Sequence, residues 1–326
     1  MKVSDSMVKT AIGKSHAKII LIGEHSAVYG EPAIVLPLSS VVTTVTIKSN
    51  SSNGQWLDCR YYSGPIQRLS DNMQGIRTLI ETLLTRFDAQ TTSFKMHIES
   101  ELPAERGMGS SAATAVAIIR AMYQYFDRPL TRSQLLADAD IEETITHGNP
   151  SGMDAATTSS DVPIWFVNDR HLKEIIQIPI TLSSYLVIAD SGIKGKTGQA
   201  VKHVAEQKMT SPEKTDQHLQ RLGQLANEAK EAVASDNSRD LGQMMTEAQW
   251  ELNQLNVSSP ELDRLITTAM ATGALGAKLT GGGLGGCMIA LCADEEKALQ
   301  VSDALLATGA TRTWIESFNF EEEKTQ

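Results

Sequence analysis

Hydrophobic positions along the chain fall into two spacings. From 94 to 99 they alternate, with Phe94, Met96 and Ile98 on one face and Lys95, His97 and Glu99 on the other, which predicts a half-buried strand with His97 in solvent. Residues 41–47, VVTTVTI, are β-branched throughout and predict a second strand. Short apolar runs at 19–22, 164–167, 186–189 and 288–291 read as buried strands, and 311–318 as a last one. From 73 to 87 the spacing turns helical, through Ile76, Leu79, Ile80, Leu83 and Leu84. Thr131 and Gln134 form a capping box ahead of Leu135, Leu136, Ala139 and Ile145, and Gly148 with Pro150 two residues beyond marks the stop. Residues 199–255 read as helical, with core stripes through Leu219, Leu222 and Leu225 and through Leu241, Met245 and Leu252. Ser259-Pro260-Glu261 opens a further helix. Residues 50–54 read as a polar turn and 321–326 as a charged, fraying tail.

One stretch fits neither spacing. Residues 102–117, LPAERGMGSSAATAVA, run from a turn containing Gly107 and Gly109 through Ser110 and Ser111 into small apolar residues. Either serine can cap the helix that follows. The glycines let the backbone approach a ligand closely, and the first-turn N–H groups with the helix dipole suit an anion such as phosphate. A plain loop entering a buried helix explains the same residues.

Composition narrows the partners. At 326 residues the chain suggests about two domains. Its net charge of −10 excludes a broad basic surface for nucleic acid or anionic membrane. Cys59, Cys287 and Cys292 form no CxxC pair, which fits a reducing cytosol, and neither a signal peptide nor a membrane span is read.

Several ionisable residues adjoin apolar runs. Lys18 precedes the strand at 19–22, and Gly23-Glu24-His25 follows it; charged groups so close to a core need partners there. Glu142 and Glu143 lie in the last turns of a helix, where the dipole disfavours carboxylates unless a cation is near. In HGNPSGMD, residues 147–154, Ser151 and Asp154 have the spacing of a helix start, so Asp154 has a structural reading as a first-turn acid. DSGIKGKT, residues 190–197, imitates a Walker A loop, but Asp190 stands where the first glycine belongs and would repel phosphate. That reading is rejected, leaving Lys194 and Lys196 as auxiliary cations. KLTGGGLGGC, residues 278–287, has five glycines in six positions, which makes sense where backbone packs on backbone or wraps a ligand.

GEHSAVYG, LPAERGMGSSAA and KLTGGGLGGC, in that order, resemble the GHMP kinases, the family of galactokinases, homoserine kinases, mevalonate kinases and phosphomevalonate kinases. HGNPSGMD narrows the resemblance to members that phosphorylate mevalonate, and Ser26-Ala27-Val28-Tyr29 replaces the aspartate segment of galactokinases. Two departures stand out. Met108 replaces a usual leucine, and Leu284 interrupts the third motif, which leaves that loop's path open.

The resemblance implies a two-domain α+β fold, with a nucleotide-binding N-terminal domain (1–180), a ferredoxin-like C-terminal domain (181–326) and the active site in the cleft between them. It implies ATP as donor, Mg²⁺ as metal and a phosphate loop formed by Arg106, Gly107, Met108, Gly109, Ser110, Ser111 and Ala112. Ser111 and Glu143 match the metal ligands, Asp154 and Lys18 the catalytic pair, and Glu24, His25 and Thr197 the substrate contacts. The expected partner is a small molecule, mevalonate, in a cytoplasmic route to isoprenoids, with a homodimer admissible. Another GHMP substrate, or a silent nucleotide-responsive regulator, is the alternative reading. Retention of Lys18, Glu143 and Asp154 together argues against the regulator.

Overall fold

The structure is a computed structural model that describes residues 9–50, 54–103, 105–148, 151–169, 171–178 and 180–320. In chain order it begins β1 (Thr10–Ile22), β2 (Ala33–Ser49), β3 (Gln55–Cys59), β4 (Tyr62–Pro65), α1 (Gln74–Arg86) and β5 (Phe94–Ser100). There follow α2 (Ser110–Tyr125), α3 (Arg132–His147), α4 (Met153–Thr158), β6 (Ile164–Asn168), β7 (Lys173–Gln177) and β8 (Ile180–Asp190). The remainder is α5 (Thr197–Thr210), α6 (Pro212–Ala234), α7 (Ser238–Gln254), α8 (Pro260–Ala271), β9 (Gly276–Thr280), β10 (Cys287–Cys292), α9 (Glu295–Ala307) and β11 (Arg312–Phe320).

The chain packs as two compact units that are interleaved in sequence. The first takes the described residues of Met1–Ala17, Val41–Leu102 and Ser111–Ser159; the second takes Lys18–Ser40, Pro103–Ser110 and the described residues of Ser160–Gln326.

In the first unit, β3 pairs antiparallel with β4 and parallel with β5, and β5 pairs antiparallel with the Thr43–Ser49 stretch of β2. The core gathers Val45, Phe94 and Met96 of the strands with Leu79, Ile80 and Leu83 of α1 and Val116, Ile119 and Met122 of α2. As the alternation predicts, β5 buries Phe94, Met96 and Ile98, while His97 stays in solvent beside Asp58 at 3.3 Å. Strand β1 is longer than its apolar run, and Lys18 lies inside it rather than ahead of it. Its first half escapes hydrophobic reading because its buried residues are small. A Cβ at Gly13 would fall 2.0 Å from the Ala117 carbonyl oxygen and 2.4 Å from the Ala121 nitrogen of α2, so only glycine lets strand and helix meet there.

In the second unit, β8, β9, β10 and β11 form an antiparallel sheet in the order β11-β8-β10-β9. Helices α5–α8 lie in the chain between β8 and β9, and α9 lies between β10 and β11. This is the ferredoxin-like arrangement that the resemblance implies. Ala33–Val35 of β2 pair with β6, which pairs in turn with β7.

Several local expectations hold. Thr131 accepts the Gln134 N–H at 3.2 Å, Gly148 ends α3 with a φ of 79°, and Ser259 accepts the Leu262 N–H at 3.3 Å to open α8. Others need correction. Ser110 lies inside α2, so it is a first-turn residue rather than its cap. Gly152, with a φ of 76°, occupies the cap position of α4, and Ser151 accepts the Met153 N–H at 3.2 Å from outside the helix. The long helical stretch breaks twice, where Pro212 takes the first turn of α6 and where Asn237 caps α7. Strands β3, β4 and β7 and helix α9 carry too little periodic signal to be anticipated. Pro150, most of the turn at 50–54 and the tail at 321–326 lie outside the described residues.

Candidate active site

In the second unit the three motifs meet. The chain leaves β1 at Gly23, and Glu24 ion-pairs with Lys278 of β9, both side chains fully buried. Lys278 Nζ also donates to the Leu279 carbonyl at 2.8 Å. Burial pushes the Glu24 carboxyl up and the Lys278 ammonium down, and their mutual attraction opposes both shifts. His25 takes a φ of 62°, strained for any residue with a side chain. Its Nε2 lies 3.0 Å from the Gly282 carbonyl oxygen. A carbonyl only accepts, so the proton sits on Nε2 and leaves Nδ1 as an acceptor. Burial lowers the pKa of His25 to about 4, which keeps the ring neutral near pH 7. Thr280 Oγ1 bonds both the N–H and the carbonyl of Ile20, each at 2.9 Å, lacing β1 to β9.

The glycine turn of the second motif is held by the same framework. The Lys18 N–H donates to the Met108 carbonyl at 3.0 Å, so the strand carrying Lys18 runs beside the loop. Gly107 and Gly109 have φ values of 77° and 73°. A Cβ on Gly281 would lie 3.0 Å from Gly107 Cα, so the second and third motifs pack backbone against backbone. Thr197 closes the group: a Cβ on Gly282 would fall 2.4 Å from its hydroxyl. Glu24, His25 and Thr197 thus gather around β9 and its glycine turn.

The Walker-like stretch has a different task from the one its sequence imitates. Arg106 Nε sits 2.9 Å from Asp190 Oδ1, and its Nη2 donates to the Gly192 carbonyl at 3.2 Å. The Gly195 N–H bonds the Glu105 carbonyl at 2.8 Å, and Lys194 pairs with Glu105 at 2.6 Å. Residues 190–195 therefore brace the glycine turn from outside. Arg106 Nη1 is buried and, among the described residues, has no hydrogen-bond partner.

In the first unit, Ser111 and Ala112 lie in the first turn of α2, Glu143 lies near the C-terminal end of α3 and Asp154 sits half-buried in the first turn of α4. Ser111 Oγ donates to Glu142 Oε1 at 2.5 Å, so its contact is the neighbour of the glutamate expected from the motif. Glu143 Oε1 accepts the Ser151 N–H at 3.1 Å, which ties the end of α3 to the residues that start α4 and carry Asp154. Sequence reasoning did not find the Glu142 contact, the Lys278 pairing or the Arg106–Asp190 pair. Two signals were available: a lysine inside an apolar strand, and an aspartate where a Walker glycine belongs.

Two family models match the chain. The GHMP kinases N terminal domain matches residues 75–161, and GHMP kinases C terminal matches residues 229–311. The mevalonate kinase of Methanothermobacter thermautotrophicus is 31% identical over 276 residues, 85% of this chain and 88% of that one. The chain belongs to the GHMP kinase family. As a GHMP kinase it is an ATP-dependent small-molecule kinase. The mevalonate kinase of Pyrococcus abyssi is 29% identical over 328 residues, 94% of this chain and 95% of that one. The crystal structure of L. major mevalonate kinase in complex with R-mevalonate superposes with a TM-score of 0.82 at 26% identity, covering 97% of this chain and 98% of that one.

Proposed function

We propose that this GHMP kinase transfers the γ-phosphoryl group of ATP to the primary hydroxyl of mevalonate, giving 5-phosphomevalonate in the route to isoprenoids. One observation carries the reading: the similar curated proteins named above, spanning nearly the whole chain, are mevalonate kinases, and the motif HGNPSGMD is present here. The division into family modules is proposed at 180/181. The proposed setting is the cytoplasm, and no helix among the described residues is long and apolar enough to cross a membrane.

Phosphoryl transfer through a loose transition state needs positioning and charge neutralisation more than covalent help. The segment from Arg106 to Ala112 would receive the phosphates of ATP on backbone N–H groups at a helix start. The buried, unpartnered Nη1 of Arg106 supports an anionic ligand there. Ser111 and Glu143 offer hard oxygen donors, and Mg²⁺ is commonly held by one or two protein oxygens beside substrate phosphates, so these residues fit it. When bound, the ion would neutralise charge on the phosphates. Lys18 would add positive charge at the reacting oxygens. Asp154 would orient the attacking hydroxyl and accept its proton late. Glu24, His25 and Thr197 would contact mevalonate, with neutral His25 accepting a hydrogen bond at Nδ1.

The test is ADP release from ATP with mevalonate, phosphomevalonate, galactose and homoserine in turn. Mevalonate is expected to give the highest kcat/KM. Faster turnover of another alcohol would overturn the substrate assignment, and no ADP release with any would favour a regulator.

A further inference from the structure

We infer that Glu142, and not only Glu143, serves the metal site, as the residue that orients the Ser111 hydroxyl. The inference rests on the reading of Ser111 as a Mg²⁺ ligand. A serine hydroxyl carries one proton and two lone pairs. To offer its lone pairs to a cation, it must send its proton elsewhere. Glu142 Oε1 receives that proton at 2.5 Å. The acceptor is a carboxylate, and a charge-assisted bond of this kind is about twice as strong as a neutral one. It fixes the hydroxyl rotor and raises the electron density on Oγ.

The rest of Glu142's environment holds it in this task. Its residue is 4% exposed, unusual for a glutamate. The same Oε1 accepts a second hydrogen bond from Thr146 Oγ1 at 2.6 Å, one turn along α3. Gly75, in the first turn of α1, backs onto the pair. A Cβ there would fall 2.8 Å from Thr146 Oγ1 and 3.0 Å from Glu142 Oε1. Gly75 has no positive φ, so the missing side chain serves space rather than backbone freedom. Consecutive helical residues point about 100° apart. That separation lets two adjacent glutamates divide the work: Glu142 turns to Ser111, and Glu143 turns to Ser151. Partners behind a metal ligand commonly set its affinity as strongly as the ligand does.

The test reads nucleotide binding rather than turnover. A fluorescent ATP analogue is titrated at a series of Mg²⁺ concentrations and again in EDTA, with thermal melting to confirm folding. Glu142→Met removes the acceptor at similar volume, and the Mg²⁺ midpoint is expected to rise about tenfold with binding in EDTA unchanged. Glu142→Gln keeps an acceptor oxygen and is expected to recover most of the loss. Thr146→Val, at an exposed position that tolerates change, should raise the midpoint about threefold by freeing the carboxylate, the scale of one modest hydrogen bond. Neither Glu142→Met nor Thr146→Val should add to Ser111→Ala, because both act through that hydroxyl. Unchanged midpoints in both variants, beside a raised one in Ser111→Ala, would overturn the inference alone. Equal shifts with and without Ser111 would overturn it too. An unchanged midpoint in Ser111→Ala itself would remove the metal reading of Ser111 and the inference with it.

Discussion

Neutral His25 makes the stability of the fold depend on pH in a definite direction. Its pKa falls from 6.5 in the unfolded chain to about 4 in the fold, chiefly because burial disfavours the charged ring. The hydrogen bond to the Gly282 carbonyl opposes that fall, and the nearby Lys278 adds to it. A group whose folded pKa is depressed contributes stability that is complete above the unfolded value and is lost as pH falls toward the folded one. For His25 the window opens near pH 6.5 and closes near pH 4. A tenfold change in proton affinity is worth about 1.4 kcal/mol, and integrating between pH 7 and pH 5 gives a loss of about 2 kcal/mol from this residue. His25→Gln keeps an N–H for Gly282 and removes the titration. Urea unfolding of both proteins at pH 7 and pH 5 isolates the effect, because contributions from the carboxylates cancel in the difference. The wild type should lose about 2 kcal/mol more than His25→Gln over that interval. Equal losses would refute the depressed pKa of the buried His25 ring. A His25 ring resonance titrating near pH 6.5 by NMR would refute it independently.

Three further perturbations bear on the site. Glu24→Gln or Lys278→Met strands one buried charge and should cost about 3–5 kcal/mol in urea unfolding, whereas Glu24→Leu with Lys278→Met should recover most of it. Asp154→Asn should lower kcat by about 10²-fold or more while an ATP analogue still binds. Adding Lys18→Met should make the enzyme little worse than the poorer single variant, and fully multiplicative losses would show independent action. Ser111→Ala should raise the KM for Mg·ATP, whereas Lys196→Met should leave it near normal; the reverse order would restore the Walker-like loop as the phosphate site.

The parts of the fold that the sequence made legible are those where side-chain size carries the signal. Strand β5 and helix α1 bury large apolar residues at regular spacing, and both lie close to where the pattern puts them. The first half of β1 fails the same reading because its buried residues, Ala11, Gly13 and Ser15, are small, and at Gly13 α2 comes so near that only glycine fits. At the site, the residues of the motifs were legible but their pairings were not. Glu142 and Glu143 are equivalent in composition, and only their directions from α3 decide which one meets Ser111. Lys278 looked like the first letter of a glycine motif, yet its ammonium lies in the core with Glu24.

The pairings also explain why a run of five glycines is worth its entropy. Gly281 must lie against Gly107, and Gly286 must clear the Arg106 carbonyl, which a Cβ would approach to 2.9 Å. Gly283 sits under Val257, whose carbonyl a Cβ would approach to 2.1 Å. Side chains at these points would push the third motif away from the second. Leu284 shows the limit of that rule. It takes a φ of 52°, a conformation that favours glycine, and the Leu284 N–H bonds the Val257 carbonyl at 2.6 Å. That hydrogen bond ties the strained residue to the chain just before α8. The third motif is therefore a backbone platform: it carries the carbonyl that fixes the His25 tautomer and the surface on which Gly107 rests. His25 of the first motif and Gly107 of the second rest directly on it, so substitutions in the platform should change turnover without touching a reacting atom.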